Sequence, residues 1–209
     1  MGIVFTINKQ LNVATLCIRS FDNEILRSVY KQNFDGTIQK IFDQLYNAHC
    51  DNLILDVRNN QGGDFEPGKL LLSYLLRQAV KYLPGSKEAE IISPRKNSFK
   101  GKLVVLINGG SFSSTAILCS YLDLTKRGVF IGDETAGNKV MISGDPIDLT
   151  LPNSGILCEV STVRYIIRNS NNDGHGITPT YCQIATIDDV VSNKDPSMEL
   201  ALKLIVKSK

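Results

Sequence analysis

Four hydroxyl side chains, Ser111, Ser113, Ser114 and Thr115, crowd the stretch Asn108-Gly109-Gly110-Ser111-Phe112-Ser113-Ser114-Thr115. A serine hydroxyl can attack a carbonyl when its proton has somewhere to go and backbone amides stand ready for the oxyanion. The flanks would supply the amides. Residues 103–107 are a strand-like aliphatic run and residues 116–122 a helix-like one, so the hydroxyls fall at a strand-to-helix turn. Glycines loosen that turn, and the incoming helix aims free N–H groups and its positive dipole end at it. The same hydroxyls could simply cap the helix.

A second stretch has matching chemistry: Leu53-Ile54-Leu55-Asp56-Val57-Arg58-Asn59-Asn60-Gln61-Gly62-Gly63. A short buried strand opens into a polar loop ending in two glycines, whose backbone can approach a ligand as an oxyanion hole requires. Asp56 and Arg58 flank Val57 and could brace the loop, or form an ordinary strand-end ion pair. One strand-loop unit with glycines and another with serines make a more specific combination than either alone.

The surrounding pattern says how these loops are carried. Residues 13–18 read as a strand paired with residues 3–7 across 8–12. Ile38, Ile41, Phe42 and Leu45 fall at helical spacing before the strand at Leu53. Residues 69–76 read as a second helix, and residues 81–102, broken by Pro84-Gly85 and Ser93-Pro94, as a surface excursion. Strands at 147–151 and 156–160 flank a turn at Pro152-Asn153-Ser154-Gly155. Asp195-Pro196 starts a last helix whose buried face is Met198, Ala201, Leu202 and Ile205. This alternation of strands and helices implies an α/β domain.

At 209 residues the chain suits one well-buried domain, and two would be cramped. A net charge of +2 without any Lys/Arg block gives no reason to expect nucleic acid or an anionic membrane as partner. No apolar run approaches the ~18 residues of a membrane span. Residues 1–5 lack the cationic start and long apolar stretch of a signal peptide. The five cysteines are scattered with no Cys-x-x-Cys spacing, which suggests neither a metal site nor a disulfide framework. Nothing in the sequence calls for a cofactor.

The two loop motifs resemble those of the tail-specific, or C-terminal-processing, serine peptidases and the related tricorn-type core. That family shows an aliphatic strand with Asp-Leu-Arg-x-Asn-x-Gly-Gly, then a strand ending in Asn-x-Gly-Ser-x-Ser-x-Ser. Two further signals follow in the family's order: Val129-Phe130-Ile131-Gly132-Asp133-Glu134-Thr135-Ala136-Gly137, and Gly174-His175-Gly176-Ile177-Thr178-Pro179. Thr180 stands where the family has Asp after that proline. The similarity runs from about residue 13 to 206. It implies a crotonase-like (Clp-protease-like) superhelix of ββα units, with residues 1–209 as a single catalytic core and no PDZ module. It also implies a polypeptide substrate and a periplasmic or exported location in a bacterium, the targeting segment being absent from this chain.

By the same resemblance the nucleophile is Ser113, the middle serine, with Ser111 and Ser114 as the alternatives. The oxyanion donors are the amide of Ser114 and one from Gly62 or Gly63. The base is harder to match. The C-terminal-processing branch has a lysine after Gly in Thr-x-Gly-Lys. Ungapped counting from Ser113 puts Asn138 there, with lysine one residue later as Lys139. Period-2 alternation would turn Lys139 to the opposite face of an extended segment, and an irregular turn would restore it. The tricorn-like branch has a histidine on the first core strand, where this chain has Cys17, and its supporting acid falls near Asp173. His175, in the Gly-x-Gly turn, is the remaining candidate. Three readings follow: a serine peptidase acting through an acyl-enzyme on Ser113, a descendant that binds peptide or an apolar ligand without cleaving it, and a crotonase-type acyl-CoA enzyme. The serine-rich turn argues against the third.

Overall fold

Strand residues alternate between two interiors. In the computed structural model, which describes residues 1–206, β1 (Ile3–Asn8) and β2 (Val13–Ile18) form an antiparallel hairpin with Ile3 opposite Ile18. Then come α1 (Asn23–Ser28), α2 (Phe34–Asn47), β3 (Asn52–Asp56), α3 (Phe65–Leu75), β4 (Val80–Tyr82) and β5 (Glu90–Ile92). They are followed by β6 (Lys102–Ile107), α4 (Ser114–Leu124), β7 (Val129–Gly132), β8 (Met141–Thr150), β9 (Leu157–Ile166), β10 (Tyr181–Cys182), α5 (Ile187–Val191) and α6 (Pro196–Val206). Six strands make one sheet in the order β1-β2-β3-β6-β7-β10, parallel from β2 onward.

Leu53, Leu55, Leu103, Val105 and Ile107 face the larger core beneath α2, α3 and α4. Ile54, Val104, Leu106 and Ile131 turn the other way, beneath Ala201 and Ile205 of α6. Strands covered on both faces need apolar residues at every position, which is why these segments are unbroken aliphatic runs. Asn33 caps α2 by accepting from Gly36 N, and Ile38, Ile41, Phe42 and Leu45 are its buried stripe, as their spacing required. Asp195 accepts from Met198 N at 3.0 Å and Pro196 takes the first position of α6, as expected.

The α/β expectation holds, with differences in detail. Helix α3 begins at Phe65 instead of residue 69, because Asp64 supplies the extended entry. The excursion at 81–102 is more than surface: it carries β4 and β5 and buries Tyr82, Leu83, Ile92 and Phe99. The late hairpin is longer than its periodicity indicated. Strands β8 and β9 pair with each other alone, as a two-stranded ribbon apart from the main sheet.

Candidate active site

Strands β3 and β6 are neighbours and parallel, with Asp56 opposite Leu106, so both release their loops at the same edge of the sheet. Ligands of parallel α/β sheets gather at that carboxyl edge. The two loops interlock there. Asn108 Nδ2 donates to Asn59 Oδ1 at 2.9 Å, and Asn59 N donates to Asn108 Oδ1 at 2.9 Å. Ser111 Oγ donates to Val57 O at 2.9 Å, and Phe112 N donates to Asn60 O at 3.1 Å.

This lacing separates the hydroxyls by role. Ser111 is wholly buried and ties one loop to the other. Ser114 and Thr115 are buried within α4, and their hydroxyls have no partner among the described residues. Ser113 is half-buried at the helix start, and its side chain makes no cap hydrogen bond. Its backbone is forced to φ 52° and ψ −126°, a conformation that L-residues seldom adopt and that stores strain. A Cβ built on Gly62 would lie 2.8 Å from Ser113 Cβ and 2.9 Å from Ser114 N. The paired glycines and the serine turn are thus in direct contact.

The amides at this junction differ. Gly62 N already donates to Asn60 Oδ1 at 2.9 Å. Gly63 N and Ser114 N have no acceptor among the described residues. Of the two glycines named from sequence, Gly63 is therefore the one with an amide to give. Both glycines have positive φ, 93° at Gly62 and 133° at Gly63, and Gly63 is pressed against the backbone of Phe21 and Asp22. A side chain at Gly62 would displace Phe112 to Ser114, and one at Gly63 would displace the backbone of Phe21 and Asp22.

The remaining named residues cluster beyond Gly137, whose own backbone abuts Ala116 and stands near Ser113 N. Asn138 spends its amide on the turn: Nδ2 donates to Asn172 Oδ1 at 2.7 Å, and Oδ1 accepts from Val140 N and Met141 N. Lys139 Nζ is bound to Asp173 Oδ2 at 2.7 Å, which holds the Asp173 carboxyl below the ordinary carboxylate range. His175 is exposed, with Nδ1 3.1 Å from Glu134 Oε1. Glu134 also accepts from Gly176 N at 2.7 Å, and this backbone bond is the main cause of its lowered pKa. Lys139, Asp173, His175 and Glu134 are therefore brought together with one another. Among the described residues none of them hydrogen-bonds to Ser113. Cys17 shares the face of Val13, toward α6, and burial raises its thiol pKa.

Behind the junction, Arg58 is gripped on both sides. Its guanidinium donates to Asp56 at 2.9 and 3.0 Å and to Asp195 at 2.7 and 2.8 Å, while Arg19 donates to Arg58 O at 2.6 Å. Its pKa is raised by these carboxylates against the opposing effect of burial. The Asp56–Arg58 brace was visible in sequence. Asp195, from the cap of α6, was not, because nothing local couples positions 137 apart.

The chain is 31% identical over 114 residues to the chloroplastic C-terminal processing peptidase of Tetradesmus obliquus, covering 53% of this chain and 25% of that protein. It is 25% identical over 186 residues to the chloroplastic carboxyl-terminal-processing peptidase 3 of Arabidopsis thaliana, covering 85% of this chain and 35% of that one. The chain thus spans about a quarter to a third of these relatives' lengths. The solved structure of a photosystem II D1 C-terminal processing protease superposes with a TM-score of 0.63 at 22% identity, covering 99% of this chain and 53% of that one. That likeness shows the fold. No described helix is long and apolar enough to cross a membrane. The model of peptidase family S41 matches residues 12–182, and the chain belongs to that family.

Proposed function

We propose that this chain is a serine-type peptidase core of the tail-specific kind, acting on polypeptide through an acyl-enzyme on Ser113. The observation that carries the reading is the contact between Gly62 and a strained, half-buried Ser113, with the unengaged Ser114 amide beside it and the Gly63 amide, also unengaged, one residue along the chain. Ser113 Oγ attacks the scissile carbonyl and gives up its proton. The oxyanion is held by Gly63 N and Ser114 N, the leaving amine departs protonated, and water then releases the acyl group. Losing one such donor typically costs about 3 kcal/mol of transition-state stabilisation. The substrate lies extended along the open edge of β8, which starts four residues after Gly137. The chain acts as a catalytic core, periplasmic or exported in a bacterium.

The base is Lys139, once its ammonium leaves Asp173 and gives up a proton. A second reading, peptide binding without cleavage, is favoured by two observations. Asn138 stands at the counted lysine position with its amide committed to the turn, and Lys139 is held by Asp173.

The test is turnover of an unstructured polypeptide by wild type and Ser113→Ala, with labelling of Ser113 by a fluorophosphonate. Cleavage and labelling lost together in the variant support the peptidase. Equal cleavage by both indicates a contaminant, and binding without cleavage by either supports the second reading.

A further inference from the structure

Residues 146–162 of the β8–β9 ribbon are exposed except for the half-buried Cys158, and their two faces differ in chemistry. Ile147 lies opposite Val160 and Leu149 opposite Cys158, while Leu151 N donates to Ile156 O at the tip. One face is therefore aliphatic, with Ile147 57% and Ile156 58% exposed. On the reverse face, which also carries Leu157 opposite Thr150 at its tip, Asp148 lies directly opposite Glu159. Neither acid has an ion pair among the described residues, and residues 146–163 contain no Lys or Arg. Like charges facing each other across a ladder repel. A two-stranded ribbon with a bare apolar face also gains little stability by itself.

β8 has β9 on one side and an open edge on the other. At its base, Ile142 packs against Gly137, which neighbours Ser113. From there the strand runs eight residues further, to Thr150, about 26 Å. A polypeptide added along that edge would place alternate side chains on the two faces, apolar ones beside Ile147 and Leu149 and the intervening ones beside Asp148 and Glu159. Cations at those intervening positions would offset the repulsion between the acids.

We propose that the outer ribbon is a docking rail for an extended polypeptide in which apolar and basic residues alternate. This deepens the peptidase reading by naming a substrate class, and it rests on that reading for its consequence, delivery of the chain to Ser113. The binding itself does not depend on turnover.

The experiment uses the Ser113→Ala protein and fluorescently labelled octapeptides, (Val-Lys)4 and (Val-Glu)4, read by anisotropy at two salt concentrations. The rail predicts at least tenfold tighter binding of the lysine peptide, weakening as salt rises. The double variant Asp148→Lys/Glu159→Lys, shown folded by circular dichroism, should reverse the preference. Equal affinity for the two peptides, or a preference that survives the charge reversal, overturns the proposal. Sedimentation gives the other decisive outcome: a wild-type dimer that Ile147→Ser/Leu149→Ser makes monomeric, with peptide binding unaltered, would make this face a contact between copies of the chain. Failure of the peptidase reading would appear separately, as an absence of cleavage with rail binding intact.

Discussion

Gly62 and Ser113 touch backbone to side chain: a Cβ on the glycine would stand 2.8 Å from the serine's Cβ. The glycine's φ of 93° is itself unfavourable for any other residue. Gly62→Ala should therefore cost stability through strain of about 1–3 kcal/mol. It should also displace Ser113, lowering kcat more than it raises KM. Thermal melting and steady-state kinetics of the variant check both parts. Wild-type kcat in a folded Gly62→Ala protein would show that the close approach has no bearing on chemistry.

The strain at Ser113 makes a second prediction. A glycine there relieves the positive φ, so Ser113→Gly should be as stable as wild type or more so, by up to about 1 kcal/mol. Ser113→Ala keeps the strain and should melt within about 0.5 kcal/mol of wild type. Denaturant midpoints of the three proteins settle the order. A variant with alanine more stable than glycine would mean that Ser113 is not under strain.

Much of this site was legible because its signals are local. Ser113 and the paired glycines sit at strand ends whose aliphatic runs could be read directly, and parallel pairing of β3 with β6 brings those ends together. What could not be read depends on tertiary approach. The reciprocal bonds of Asn59 and Asn108 join positions 49 apart. The capture of the Gly62 amide by Asn60, which separates the roles of the two glycines, turns on one side-chain rotamer. The ribbon illustrates the same limit. Its turn residues gave the hairpin away, but short-range alternation could not tell that β8 would extend back to Met141 beside the site.

The Arg58 network predicts a pH dependence. Arg58 holds the Asp195 carboxyl below its ordinary pKa, so the folded state binds that proton less readily than the unfolded one. The resulting stability is present above the unfolded carboxylate pKa of about 4 and is lost as pH falls through the lower folded value. Asp195→Asn should therefore melt below wild type at pH 7, and the gap should close as pH falls below about 4. Because Asp195 is partly exposed, the effect should be modest and smaller at high salt. A gap that stays constant from pH 7 to pH 2 would mean that the Arg58–Asp195 ion pair is not the source of the difference.

The base can be tested from both sides of one peptide bond. Lys139 Nζ lies on Asp173, so if this lysine serves Ser113 it must exchange partners, and Lys139→Met should remove activity as fully as Ser113→Ala. The exposed ion pair alone is worth about 0–1 kcal/mol, so the melting temperature should hardly move. Asn138 offers the converse experiment. Its side chain occupies the counted lysine position and spends its amide on Asn172, Val140 and Met141. Asn138→Lys loses those bonds, which should cost roughly 1–3 kcal/mol, but it returns an amine to the residue after Gly137. If the family base has been displaced in this chain, Asn138→Lys should raise kcat at alkaline pH, and the gain should vanish in the Asn138→Lys/Ser113→Ala double variant. A folded Asn138→Lys protein with no gain at any pH, together with a Lys139→Met variant of unchanged rate, would exclude both positions and leave His175 to be tested next.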